Sequence, residues 1–169
     1  FPYTTLFRSP FVLLDELKKF VEAQTKDLLL PVRLERNSQG PKERAPEVFT
    51  MRLKKSADKT NKVPYVLLQF IKSEDRQEPG QRVECVSWVR IIAATYAESE
   101  DEGALSVLNV LTRIRLALLR AGIVGKQFVL CPPLEMIVYP DSTAPYYLGE
   151  MFSVWSMPKM ESEVNLWQV

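Results

Sequence analysis

The chain has 169 residues, 46% of them hydrophobic and 25% charged, which suits one globular domain with a sizeable core. Its 22 basic residues nearly balance 21 acidic ones, so no electrostatic footprint for nucleic acid is present, and no apolar run reaches membrane length. Histidine is absent, which excludes Ser-His-Asp and Cys-His catalysis, imidazole metal ligands and imidazole proton relays.

Phe1–Ser9, FPYTTLFRS, reads as the translation of a common sequencing adapter fused to an incomplete reading frame, and it is set aside from the fold as a non-native segment, 1–9. Without Arg8 the chain is formally neutral. A single domain is expected over 10–160, followed by a flexible tail over 161–169.

From Phe11 to Leu30 the residues Leu13, Leu14, Leu17, Phe20, Val21 and Leu28 recur at helical spacing, and Pro31 ends the helix they predict. A short strand is expected at Val32–Leu34, followed by a polar, breaker-rich loop. Strand patterns then run over Glu47–Leu53, Tyr65–Lys72 and Val83–Ala97, separated by polar stretches at Ser56–Lys62 and Ser73–Gln81, and three in a row predict an antiparallel meander. Lys54, Lys55, Lys59 and Lys62 read as a solvated loop, because small polar residues interleave with the charges.

Glu100–Gly122 is the strongest helix signal. Glu100, Asp101 and Glu102 sit where the first-turn N–H groups lack partners, Arg113, Arg115 and Arg120 lie towards the carbonyl end, and Gly122 supplies a left-handed cap. So many of its residues are apolar that most of the helix should be buried. Two further strands are expected at Gln127–Tyr139 and Tyr146–Met157. Pro132 and Pro133 mark the first as an edge or a bulge, and Gly149 marks a bulge or close packing in the second. The expected fold is α+β, in the order α-β-β-β-α-β-β: one five-stranded, mixed but mainly antiparallel sheet with two helices on one face. The strands at Val83–Ala97 and Tyr146–Met157 carry apolar residues on both faces, where a one-sided layer would alternate apolar with polar, so a second cover or a second subunit is implied.

Little chemistry is on offer. Cys85 and Cys131 form no CxxC pair and read as two reduced core thiols, with a facing pair as the alternative. Glu84, Glu135 and Glu150 lie in strands, where pairing with an arginine such as Arg82 or Arg90 outweighs acid-base catalysis. The six glycines form no phosphate cradle, and no cofactor or metal is expected. Trp88 and Trp155 read primarily as core, whereas Tyr146, Tyr147 and Trp167 are better placed for an interface. With their strand neighbour Met151, the candidate interface residues are Tyr146, Tyr147, Met151, Trp155 and Trp167.

The succession VPYVLLQF at Val63–Phe70, ATYAESEDEG at Ala94–Gly103, VLNVLTRIRLALL at Val107–Leu119 and PYYLGEMFSVWSMP at Pro145–Pro158 resembles small tail proteins of long-tailed phages and prophages, nearest the tail-terminator or tail-completion family. That resemblance implies a small α/β protomer forming a ring, a hexamer in expectation, which caps the tail tube and joins it to the head connector. It implies a place in the virion tail after assembly in the bacterial cytoplasm, with no enzymatic activity, no membrane and no nucleic-acid sequence recognition. A head-completion or connector protein of the same gene module, and a carboxylate-dependent enzyme, are the alternatives.

Overall fold

The structure is a computed structural model that describes residues 9–34, 39–53, 63–139 and 144–158. The segment 1–9 apart from Ser9, the loop Ser56–Lys62 and the tail 161–169 with Trp167 lie outside the described residues.

The elements are α1 (Pro10–Thr25), β1 (Leu30–Pro31), β2 (Glu43–Arg44), β3 (Glu47–Thr50), β4 (Tyr65–Arg76), β5 (Glu84–Tyr96), α2 (Glu100–Ala121), β6 (Ile123–Val124), β7 (Phe128–Val138) and β8 (Tyr146–Ser156). They make a mixed α+β fold with a six-stranded sheet in the order β3-β4-β5-β8-β7-β6, beside a separate two-stranded sheet of β1 and β2. The expected five strands become six because the chain, turned by Gly122, pairs Ile123 with Val129 and Val124 with Phe128 before β7 proper begins. The small sheet pairs Leu30 with Arg44 and Pro31 with Glu43, so the short strand expected at Val32–Leu34 forms instead at the two residues before it.

The meander expected of the first three strands is also corrected, because β3 and β4 run parallel, with Glu47 beside Tyr65 and Thr50 beside Leu68. The connection 51–64 has the dozen or so residues that a parallel return requires, and sequence spacing alone does not separate such a return from a hairpin. The remaining neighbours in the large sheet are antiparallel. Strand β4 continues through half of the stretch Ser73–Gln81, to Arg76, and its turn falls at Pro79 and Gly80.

Helix α1 starts with Pro10 in its first turn, where a missing N–H costs nothing, and ends at Thr25, before the expected limit at Leu30. The Thr25 hydroxyl donates to the carbonyl of Val21 at 2.8 Å, and the Leu28 N–H returns to the carbonyl of Thr25 at 3.0 Å, so the chain turns there. Leu30 is freed to enter the core from β1. Asp27, in that turn, binds Arg113 of α2 at 2.7 Å, and the guanidinium holds its carboxyl below the usual carboxylate range. Helix α2 ends as its sequence dictates: Gly122 takes φ 67° and its N–H donates to the carbonyl of Leu118 at 2.8 Å.

Both helices contact the same sheet, α1 over β3 and β4 and α2 over β5, β8 and β7. Lateral pairing fixes which side chains they cover, because partners across a ladder share a face. Val66, Ala93 and Gly149 form one such row, and Leu68, Ile91, Met151 and Met136 the next. Val89, Ser153, Trp155 and Leu130 continue this face, which packs against Leu13, Leu17, Val107, Leu111 and Ile114. Trp155 is fully buried, and its indole N–H is satisfied by Ser153 Oγ at 2.9 Å, which in turn donates to the carbonyl of Val89.

Gly149 marks close packing rather than a bulge. A Cβ there would stand 2.7 Å from both Leu111 Cδ1 and Val107 Cγ1. Gly149→Ala is therefore expected to lift α2 and to lower stability by about 1–3 kcal/mol, the range for overpacking a filled core. Urea unfolding measures it, and a neutral or stabilised variant would mean that α2 is not seated on this strand.

Candidate interaction surface

The positions between the helix-facing ones point to the other side of the sheet, where no described helix lies. On β5 these are Val86, Trp88, Arg90, Ile92 and Ala94, and on β8 Leu148, Glu150, Phe152 and Val154. From β7 come Val129, Cys131, Glu135 and Ile137, while Phe49, Tyr65 and Leu67 fill the same face at β3 and β4. Leu148, Ile137, Val129 and Tyr139 are exposed, and Trp88, Ile92, Phe152 and Val154 are half-buried. This is a broad apolar surface in a position where a soluble antiparallel sheet ordinarily presents polar side chains.

In its middle sits a charged cluster. Glu150 is 4% exposed, and Arg90 on the neighbouring strand donates from Nε to one carboxylate oxygen while the Tyr139 hydroxyl donates to the other. Strand register brings them together: Ile92 stands opposite Glu150 and Arg90 opposite Phe152, so Arg90 reaches Glu150 diagonally. A buried carboxylate without such partners would be strongly disfavoured, so the cluster holds a charge in place within an apolar face. The edges of the surface are aromatic. Lys72 lies over the Trp88 ring at 4.2 Å, and Phe49 meets Tyr65 edge-on at 6.3 Å. Tyr146 packs on Tyr96 at 5.9 Å and accepts a hydrogen bond from Arg33 at 2.5 Å.

Of the residues singled out for an interface, only Tyr146 lies on this surface. Tyr147, Met151 and Trp155 have the opposite parity and are buried under α2 within the protomer, and Trp167 lies outside the described residues. Alternation along β8 separates Met151 and Trp155 from Leu148, Phe152 and Val154, but it does not say which set the helix covers. Gly149 carries that information, since the residue that must be small to admit a helix marks the helix side. Arg90, Glu150 and Tyr139 join this site through register, which no local spacing reveals.

Of the three strand acids, Glu84 and Glu135 are exposed, Glu135 lies diagonally across from Glu150 on the neighbouring strand, and the Glu150 carboxylate is held by Arg90 and Tyr139. Among the described residues no three of Cys, Asp and Glu gather in a way that would hold a metal ion, and no helix is long and apolar enough to cross a membrane. The two cysteines are free. Cys85 has the helix-facing parity and Cys131, paired with Val154, the other, so they are not a facing pair.

No family model and no curated protein matches the chain. Several solved structures match; one of them, which carries no functional name, does so with a TM-score of 0.51 at 11% identity, over 96% of this chain and all of the other. At that identity the likeness shows a shared fold and nothing about activity.

One outcome tests this surface and a second tests the opposite face of β5. The hydrogen bond to the Glu150 carboxylate raises the Tyr139 pKa above its ordinary value of 10.0, so its stabilisation is present in full below that pH and is lost as pH rises through the folded value. Tyr139→Phe should be less stable at neutral pH and should lack that alkaline step in a pH-dependent unfolding series; an unchanged alkaline limb would remove Tyr139 from the cluster. Burial, aided by Asp75, pushes the Cys85 thiol up to about 12. At pH 8 its alkylation in the native protein, followed by peptide mass spectrometry, should be far slower than in the unfolded chain.

Proposed function

We propose that the chain is a structural assembly protein of a long-tailed phage, a tail-terminator or tail-completion factor, whose protomers close into a ring on the tail tube and present it to the head connector. The observation that carries this reading is the apolar sheet face on which no described helix lies. A sheet of this kind is ordinarily covered on both sides, and a neighbouring subunit is the cover that a ring supplies. The sequence resemblance supports it from another side. Its residues fall on β4, the junction of β5 with α2, the body of α2, and β8, which together form the centre of the fold.

Each protomer in a closed ring offers one surface to the neighbour before it and a different surface to the neighbour after it. The sheet face is one of these surfaces. The Glu150 cluster gives it direction, because a partner that seals the apolar rim must also leave Arg90 and Tyr139 on the carboxylate. The hexameric count and the two end partners, the tube protein and the connector protein, belong to the same proposal.

Light scattering over a concentration series and negative-stain microscopy test it. Ring-shaped particles of one fixed multiple of 19.4 kDa are expected, and they should bind the ends of purified tail tubes. Leu148→Glu, at an exposed position, should disperse the rings while changing stability by no more than about 0.5 kcal/mol. A protein that stays monomeric at high concentration and ignores tail tubes would overturn the reading.

A further inference from the structure

Helix α2 has a second apolar face that the sheet does not use. Leu105, Leu108, Leu116 and Leu119 fall within an arc of about 80°, centred on Thr112, at 100° per residue. Val107, Val110, Leu111, Ile114 and Leu118, which form the buried face, lie on the opposite side of the helix. The outer leucines are exposed, Leu105 at 64% and Leu116 at 51%. A helix packed on a sheet ordinarily turns polar residues outward. Here the outward stripe is leucine for about 21 Å of helix length, from Leu105 to Leu119.

Charge along the same helix selects an occupant. The first turn carries Glu100, Asp101 and Glu102, and the later half carries Arg113, Arg115 and Arg120. Glu102 and Arg120 are separated by five helical turns, so they lie on the same flank of the stripe, one near each end. A parallel copy of α2 would set acid against acid and arginine against arginine. In an antiparallel copy related by a twofold axis through Thr112, each flank meets its own counterpart reversed, so Glu102 faces Arg120 of the second copy on both sides of the axis. The dipoles of the two helices also oppose favourably in that arrangement.

We infer that the outer face of α2 is a self-association surface, on which a second copy of this chain docks its own α2 antiparallel about Thr112. Leu105 then packs near Leu119 of the second copy and Leu108 near Leu116, with two Glu102 to Arg120 pairs sealing the ends. The stripe, about 21 Å by 10 Å, is well below the roughly 800 Å² per partner of standard interfaces, so the pairing is weak and depends on concentration. The inference goes beyond the ring reading and does not rest on it. The stripe and the open sheet face lie on opposite sides of the protomer, and one pairing leaves the other free.

The decisive test uses Thr112→Cys in a background carrying Cys85→Ala and Cys131→Ala, treated with a short bis-maleimide. Only a twofold arrangement brings position 112 of one copy against position 112 of another. Crosslinked dimer is expected well above the level given by Glu78→Cys in the exposed β4–β5 turn. In sedimentation equilibrium Leu116→Glu should weaken this dimer by more than about tenfold, since a carboxylate would have to enter an apolar seam. Glu102→Arg should weaken it severalfold, and adding Arg120→Glu should restore it. The proposal is overturned if Thr112→Cys crosslinks no better than the control. It is also overturned if Leu116→Glu remains monomeric but loses stability like a core variant, which would mean that part of this chain covers the stripe. If Leu116→Glu disperses assembly while position 112 never meets itself, α2 docks on a different surface, and the twofold model again fails. Loss of rings in Leu148→Glu with the 112 crosslink intact would concern the ring reading alone.

Discussion

The seating of α2 in a shallow trough of the sheet governs the rest of the molecule. Ala93 and Gly149 stand side by side on β5 and β8, the two central strands, and their lack of side-chain bulk lets Val107 and Leu111 descend to the backbone. That close approach decides which parity of each strand belongs to the core. It buries Met151 and Trp155, and by exclusion it turns Leu148, Glu150 and Phe152 to the far side. A helix held farther out would leave Trp155, now fully buried, partly wetted.

The far side follows a different logic. Its centre is a carboxylate shielded from water and held by one guanidinium and one phenol, and its periphery is aliphatic and aromatic. Such a cluster adds little net stability over an apolar replacement of the same shape, yet removing one partner is costly because the other is left desolvated. Its value lies in geometry: a surface with a fixed charge pattern in an apolar field accepts fewer docking poses than a greasy one.

Most of the element order was legible in the sequence because it rests on local signals. The acidic first turn and Gly122 place α2, and alternation places β5 and β8 to within a residue or two. What stayed hidden depends on pairing between distant segments. The parallel β3–β4 register, the short β6 and the meeting of Arg90 with Glu150 all need to know which strand lies beside which. The early stop of α1 turns on Thr25 bonding its own helix and Asp27 reaching Arg113, two contacts that the downstream signal at Pro31 conceals. The candidate interface residues show the same division. For the four on β8 the strand and its alternation could be read from the residue order, but the covered side could not: Tyr147, Met151 and Trp155 are core, and Tyr146 is the one of these four on the open surface.

Strand β7 limits how this molecule can aggregate. Among the described residues nothing pairs with it outward of Leu130, so it offers a long free edge, the feature through which β proteins polymerise without end. Pro132 and Pro133 sit within that edge, where the ladder to β8 also shifts register. Neither proline has an N–H to give, so an incoming strand finds the row of donors interrupted midway. Open-ended growth by strand addition is thereby discouraged on this side.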